Sequence, residues 1–253
     1  MGWGRFGLGE VLAVLSGKGG TGKTSVCAGL ACALSEDGRR VLCVDCDVGL
    51  RNLDISLGLS DSGALSFLDV AGGNYPLSAA ARHPRYPNLH FLTAPMNCPV
   101  ERIDMVAFRA MLRAARREYD VILLDAPAGV DAGFRLVSSA ADRFLLVTGF
   151  GPASVRDAAR VGELLELRGK MDVRLIVNRV DREMLSTLRT TIDDVMDNAG
   201  LPLAGVVPED SCVTLAASFG RPLLQYSPRC PAAKACRRIA RRIQGFHEPI
   251  TFR

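Results

Sequence analysis

The chain has 253 residues, 48% of them hydrophobic, and carries 31 basic against 27 acidic side chains for a net charge of +4. That much apolar material supplies the core of one large domain, and so mild a positive balance permits an acidic partner without demanding one. No apolar run reaches the roughly 18 residues of a membrane span and no signal-peptide core opens the chain, which argues against a transmembrane or exported protein and for a cytoplasmic one.

The first ten residues, MGWGRFGLGE, are glycine-rich and have neither the helical nor the strand period, so 1–10 is expected to be a loose tail in which Trp3 and Phe6 are free to pack. Phe6 also stands where a myristoylation signal needs Ser or Thr. Residues 11–15, VLAVL, read as a strand, and TSVCAGLACALSEDG from Thr24 reads as a helix. Between them lies LSGKGGTGKTS. Counted from Gly17 the spacing is G-x-x-x-x-G-K-T, with Gly17, Gly22, Lys23 and Thr24 at the fixed positions of a phosphate-binding loop. Glycine permits φ > 0 and close approach, so the amides of Gly17 through Ser25, with Gly19, Gly20 and Thr21 between, can cradle a phosphate. The start of the following helix adds its positive dipole end. Lys23 would reach the β- and γ-phosphates of ATP, and the Thr24 hydroxyl would hold Mg²⁺. Lys18 is a second lysine in a loop that needs one.

Residues 39–45 form the next strand candidate; it closes on Asp45, with Asp47 two residues later. Residues 72–88 are irregular and read as a surface loop with a short helix. Strands are then expected at 89–94, 120–126, 143–148, 172–178 and 203–207, and helices at 101–119, 151–169, 184–200 and 232–245. Asp125 closes the 120–126 run ahead of a Pro-Gly loop, as a Walker-B carboxylate would. Near-continuous apolar strands imply burial on both faces. The fold class is therefore α/β: one P-loop NTPase domain over residues 11–245, with a mostly parallel twisted sheet of about seven or eight strands and helices on both faces. Ligands bind such sheets beyond the carboxyl ends of the strands, where Asp45, Asp47 and Asp125 can converge on the loop. Residues 246–253 make a short C-terminal tail.

The eight cysteines read as small buried hydrophobes in a reducing compartment. Cys43 and Cys46 are three apart at a strand end and face opposite sides. Cys230 and Cys236 lack the second pair or the histidine that would complete a zinc site.

The run from Lys18 to Thr24, K-G-G-T-G-K-T, resembles the signature of the MinD/ParA deviant-Walker ATPases. DVGLRNLD from Asp47, DAPAGV from Asp125, SVRDA from Ser154 and VPED from Val207 are similar to segments of the MinD branch in the same order, so the likeness spans residues 10 to 245. The resemblance implies a Mg²⁺-dependent ATPase that forms an ATP-dependent homodimer and answers to an activating or recruiting protein. It implies that Lys18 crosses the dimer interface to the partner's nucleotide, that Asp47 positions the attacking water, and that Asp45 supports the magnesium shell. It further places Asn52 on a switch sensing the γ-phosphate, Asn178 and Arg179 on the adenine side, and Pro208, Glu209 and Asp210 over the base. Spatial regulation of cell division is the function implied. A ParA-like DNA-segregation role and a nucleotide-gated binding module with little hydrolysis are the alternatives. The chain departs from the MinD branch after Gly245, where FHEPITFR replaces an amphipathic anchor, so membrane contact, peripheral at the inner membrane, is expected to be weak. The arginines at 237, 238, 241 and 242 could serve DNA instead.

Overall fold

Apolar runs too short for buried helices line up as one eight-stranded sheet in the computed structural model, which describes residues 9–96 and 98–250. The strands are β1 (Glu10–Leu15), β2 (Val41–Asp45), β3 (Ala81–Arg82), β4 (Leu89–Leu92), β5 (Val121–Asp125), β6 (Arg143–Thr148), β7 (Val173–Val180) and β8 (Leu203–Pro208). Their order across the sheet is β3-β4-β2-β5-β1-β6-β7-β8. Every neighbouring pair is parallel except β3 with β4. The helices are α1 (Lys23–Glu36), α2 (Leu53–Leu57), α3 (Phe67–Ala71), α4 (Met105–Glu118), α5 (Ala132–Ala140), α6 (Pro152–Glu166), α7 (Arg182–Thr187), α8 (Ile192–Ala199), α9 (Ser211–Ser218), α10 (Leu223–Tyr226) and α11 (Pro231–Ile243).

The two-residue period of β1 divides the interior. Val11, Ala13 and Leu15 enter a core covered by α3 to α6 and α8, whereas Leu12 and Val14 enter a second core under α1, α2 and α9 to α11. Both faces are thus buried, as the continuous hydrophobicity of the strands requires. Six of the eight cysteines are buried and all eight are free thiols.

Four local expectations are corrected. Glu10, assigned to the tail, opens β1; the rest of that tail up to Leu8 lies outside the described residues. The 72–88 segment holds a 3₁₀ turn at Leu77–Ala79 and also the edge strand β3, which the short run AR could not signal. Residues 184–200 form two helices, because Thr191 and Asp194 make a capping box that starts α8 and Arg189 takes φ 50° just before it. Helix α4 starts at Met105 on its Asp104 cap rather than at residue 101. In α11, Cys236, Ile239 and Ile243 are buried, but Phe246 beyond it is 46% exposed beneath the Arg241 guanidinium. No helix among the described residues is long and apolar enough to cross a membrane.

Candidate active site

Strand register sets the acids. Asp45 and Asp125 end neighbouring strands and are register partners, so two carboxylates stand side by side at the carboxyl edge of the sheet. On the other side of β5 lies β1, whose end releases the glycine-rich loop.

The loop is wedged rather than loose. Gly22 sits at φ 83°, and a β-carbon there would lie 2.3 Å from the Asn178 amide nitrogen. That amide donates to the Thr21 carbonyl at 2.7 Å, so the end of β7 grips the loop. A β-carbon on Gly17 would meet Asp157 of α6 at 2.6 Å. Helix α1 begins at Lys23 with no side-chain cap among the described residues, which leaves its first amides directed into the loop.

The two lysines have opposite surroundings. Lys23 is 6% exposed; its Nζ lies 2.6 Å from Asp125 Oδ1 and 3.2 Å from Thr24 Oγ1. Burial opposes its charge, but Asp125 more than compensates and holds the ammonium above its ordinary range. Asp125 loses more to burial than Lys23 returns, so its carboxyl is pushed up. Lys18 is exposed at the rim, and its carbonyl accepts from the Ser16 hydroxyl at 3.0 Å.

Asp45 is fully buried, and its two oxygens accept from the amides of Asp47 at 2.9 Å and Leu53 at 3.3 Å. It therefore staples both ends of the loop that carries Asp47 and Asn52. Burial, with Asp125 alongside, pushes Asp45 up to about 7 against the pull of those amides. Asp47 is half-buried and also raised by burial, partly offset by Lys23. The loop itself turns through Gly49 at φ 98° and Arg51 at φ 43°, and the Arg51 guanidinium donates to Thr93 Oγ1 at 2.9 Å. Asn52 occupies the cap position of α2.

Beside the loop is a cleft of about 200 Å³ bounded by Gly20, Gly22, Ser25, Asn178, Arg179 and the Pro208–Asp210 turn. Arg179, at φ 58°, donates to Glu209 at 2.7 Å, closing one rim. The residues expected around a base thus do line one cavity, although the Asn178 amide is directed to the loop backbone. Gly19 is exposed on the outer turn.

Asp125 Oδ2 and Thr21 Oγ1 are buried without a hydrogen-bond partner among the described residues. A buried orphan carboxylate oxygen beside another acid and a threonine hydroxyl is the donor set that suits Mg²⁺, a hard cation. Of the residues expected to hold it, Asp125 offers that free oxygen and Thr24 meets the same Lys23 ammonium, whereas both oxygens of Asp45 accept from backbone amides. Sequence reasoning missed the wedge at Asp157, although it lies in the SVRDA segment, and missed Arg51 to Thr93, which pairs residues 42 apart.

The CobQ/CobB/MinD/ParA nucleotide-binding domain family matches residues 12–223. The septum site-determining protein MinD of Synechocystis is 34% identical over 243 residues, covering 95% of this chain and 91% of that protein. Among solved structures, the MinC:MinD cell division complex of Aquifex aeolicus superposes with a TM-score of 0.88 at 34% identity, covering 96% of this chain and 98% of that one. The MinD of Pyrococcus horikoshii, described as complexed with Mg-ADP, gives 0.78 at 29% identity, covering 92% of this chain and 95% of that one.

Proposed function

This chain belongs to the CobQ/CobB/MinD/ParA nucleotide-binding family, and from that membership we propose that it is a Mg²⁺-dependent ATPase of the MinD type, an ATP-gated dimeric switch in the placement of the division site. The observation that carries the reading is the contrast between Lys23, buried on Asp125, and Lys18, exposed on the same loop. A single bound nucleotide needs the first. The second is placed to meet charge arriving from outside the chain, as an arginine finger does.

In this reading the loop amides and Lys23 bind the β- and γ-phosphates, and Lys23 exchanges Asp125 for the incoming anion. Thr24, Asp45 and Asp125 would hold Mg²⁺, which neutralises phosphate charge. Asp47 orients the attacking water. Because Asp45 bonds the amides at both ends of the Asp47–Leu53 loop, any shift of Asp45 reaches Asp47 and Asn52 through the backbone. Nucleotide state and surface shape are linked through that staple. A protein partner of the kind bound in the Aquifex complex would read the altered surface and set the rate of hydrolysis.

The DNA-segregation alternative is less well supported. Arg237 donates to Glu36, Arg241 is paired with Glu248, and Arg242 donates to the carbonyls of Glu248 and Leu203, so the basic face that could meet DNA is largely engaged within the chain.

Light scattering on the purified chain tests the switch: ATP with Mg²⁺ should produce a dimer and ADP should leave a monomer. Asp47→Ala should keep that dimer while hydrolysis falls roughly 10²-fold, the scale for a group that activates the nucleophile. Equal assembly with ADP, or undiminished turnover in the variant, contradicts the reading.

A further inference from the structure

The carboxylate of Asp210, the thiol of Cys212 and the thiol of Cys230 come together at the junction of β8, α9 and α11, with their ligand atoms all within 4.8 Å of one another. The two cysteines are separated by 18 residues and belong to different helices, so no sequence spacing announces them. The second cysteine that Cys230 lacks in the sequence is supplied by Cys212 of α9. Backbone amides fix the group. Asp210 caps α9 and accepts from the amides of Cys212 at 2.9 Å and Ala232 at 3.0 Å, while Cys230, the cap of α11, accepts from Ala233 at 3.4 Å. Two helix starts of 8 and 13 residues therefore point at three groups that are anionic once the thiols ionise. Among the described residues no basic side chain pairs with Asp210.

We propose that Asp210, Cys212 and Cys230 bind a thiophilic divalent cation of the zinc class. Two thiolates and one carboxylate are a borderline-soft donor set, unsuited to Mg²⁺ or Ca²⁺. A tetrahedral zinc with bonds of about 2.3 Å sets sulfur ligands about 3.8 Å apart, so closure by roughly 1 Å at most completes three positions and leaves a fourth for water. As the two metal–sulfur bonds form, both thiol protons pass to solvent; Asp210 is already ionised, and nothing is oxidised. Cys230 is buried and the other two are half-exposed, which gives a route of entry.

The position gives the cation a consequence. Asp210 with Pro208 and Glu209 on one side, and Ala232 on the other, wall the cleft beside the phosphate loop. A metal bridging the start of α9 to the start of α11 would fix that wall, so cation and nucleotide affinities should be coupled, equally in both directions. This coupling rests on the nucleotide reading of the cleft; the cation site itself does not.

The test uses full-length, tag-free, reduced protein titrated with Co²⁺, followed by Zn²⁺ in competition with a chromophoric chelator. One Co²⁺ per chain should develop thiolate charge-transfer absorption and the intense visible bands of tetrahedral cobalt. Cys212→Ser and Cys230→Ser should each weaken Zn²⁺ binding by more than roughly tenfold, the low end even for losing an outer-sphere partner. Serine preserves the α11 cap, and Cys98→Ser should bind as the wild type does. In the wild type, Zn²⁺ should also protect Cys212 and Cys230, but not Cys98, from alkylation mapped by mass spectrometry. That measurement decides the matter if either variant misfolds. Binding unchanged in both serine variants, no protection, or a peroxide-formed Cys212–Cys230 disulfide in protein that takes up no cation overturns the proposal. A site that forms as expected while ATP affinity stays the same with and without Zn²⁺ refutes the coupling alone.

Discussion

Lys23 and Asp125 make a buried ion pair in which each partner depends on the other, with side chains 6% and 1% exposed. Removing one member of such a pair leaves a charge that water cannot reach, typically at a cost of about 3–5 kcal/mol, whereas removing both is far milder. Asp125→Ala is therefore expected to lower the urea-unfolding stability of the nucleotide-free chain by about that amount, and Lys23→Met added to it should restore most of the loss. A single-variant loss below about 1 kcal/mol would mean that the pair is not held as a buried pair. Both residues were legible in the sequence as phosphate-loop lysine and strand-end acid, but their bond to each other was not, because it depends on β1 lying next to β5. The same limit hid the two amides on Asp45. A strand-end aspartate is visible in one dimension, while the direction in which a seven-residue loop turns its N–H groups is not.

At the scale of elements, local chemistry explains what could be read. Long apolar runs marked the seven longer strands, and the helices around 24–36, 105–118, 152–166 and 231–243 carry clear apolar periods or starting signals. The α-helices of five residues or fewer, α2, α3 and α10, are set by tertiary packing and cap bonds and carry no apolar period of their own. Edge strand β3 is held partly by His83, just after it: the imidazole Nδ1 accepts from the amides of Arg85 and Tyr86, so Nε2 carries the proton and donates to the Leu57 carbonyl of α2 at 2.9 Å. Burial holds His83 below its ordinary 6.5, against the pull of the Leu57 carbonyl that accepts from its ring. The unfolded chain then binds more protons below 6.5, so this contribution to stability is complete above that pH and declines as pH falls toward the folded value. Asp45, raised to about 7, titrates with the opposite sign between there and its ordinary 3.8, since the folded form binds the extra proton. The diagnostic quantity is accordingly the difference between wild type and His83→Gln. Unfolding midpoints measured on either side of 6.5 should show the wild type losing more stability on acidification than the variant. Identical slopes would remove His83 from this role.

Sheet order connects these parts into one machine. The strand next in sequence after β1 is β2, yet β5 and β6 flank it, so the glycine-rich loop emerges at the switch point of the sheet with Asp125 on one side and α6 against Gly17 on the other. The alternation of strands and helices made a parallel sheet legible, and the motifs located its active edge; the pairing of Asp210, Cys212 and Cys230 was invisible because three separate elements had to dock first. What one chain cannot supply is a group facing its own Lys18 from outside, and this sets the most discriminating experiment. Lys18→Ala and Asp47→Ala chains, each expected to be inactive alone, are mixed with ATP and Mg²⁺. If Lys18 serves the partner's nucleotide, the Lys18→Ala chain keeps its own Asp47 and receives an intact Lys18 from the other chain, so one complete site forms per heterodimer. The second site lacks both groups. If Lys18 serves its own nucleotide, every site lacks one group and the mixture stays inactive. Hydrolysis recovering toward about half the wild-type rate per heterodimer is the expected result, since groups acting as one unit are lost together and restored together. A heterodimer that forms, as judged by differentially labelled chains, and yet hydrolyses no faster than either parent would place Lys18 in its own site and withdraw the dimer-gated mechanism.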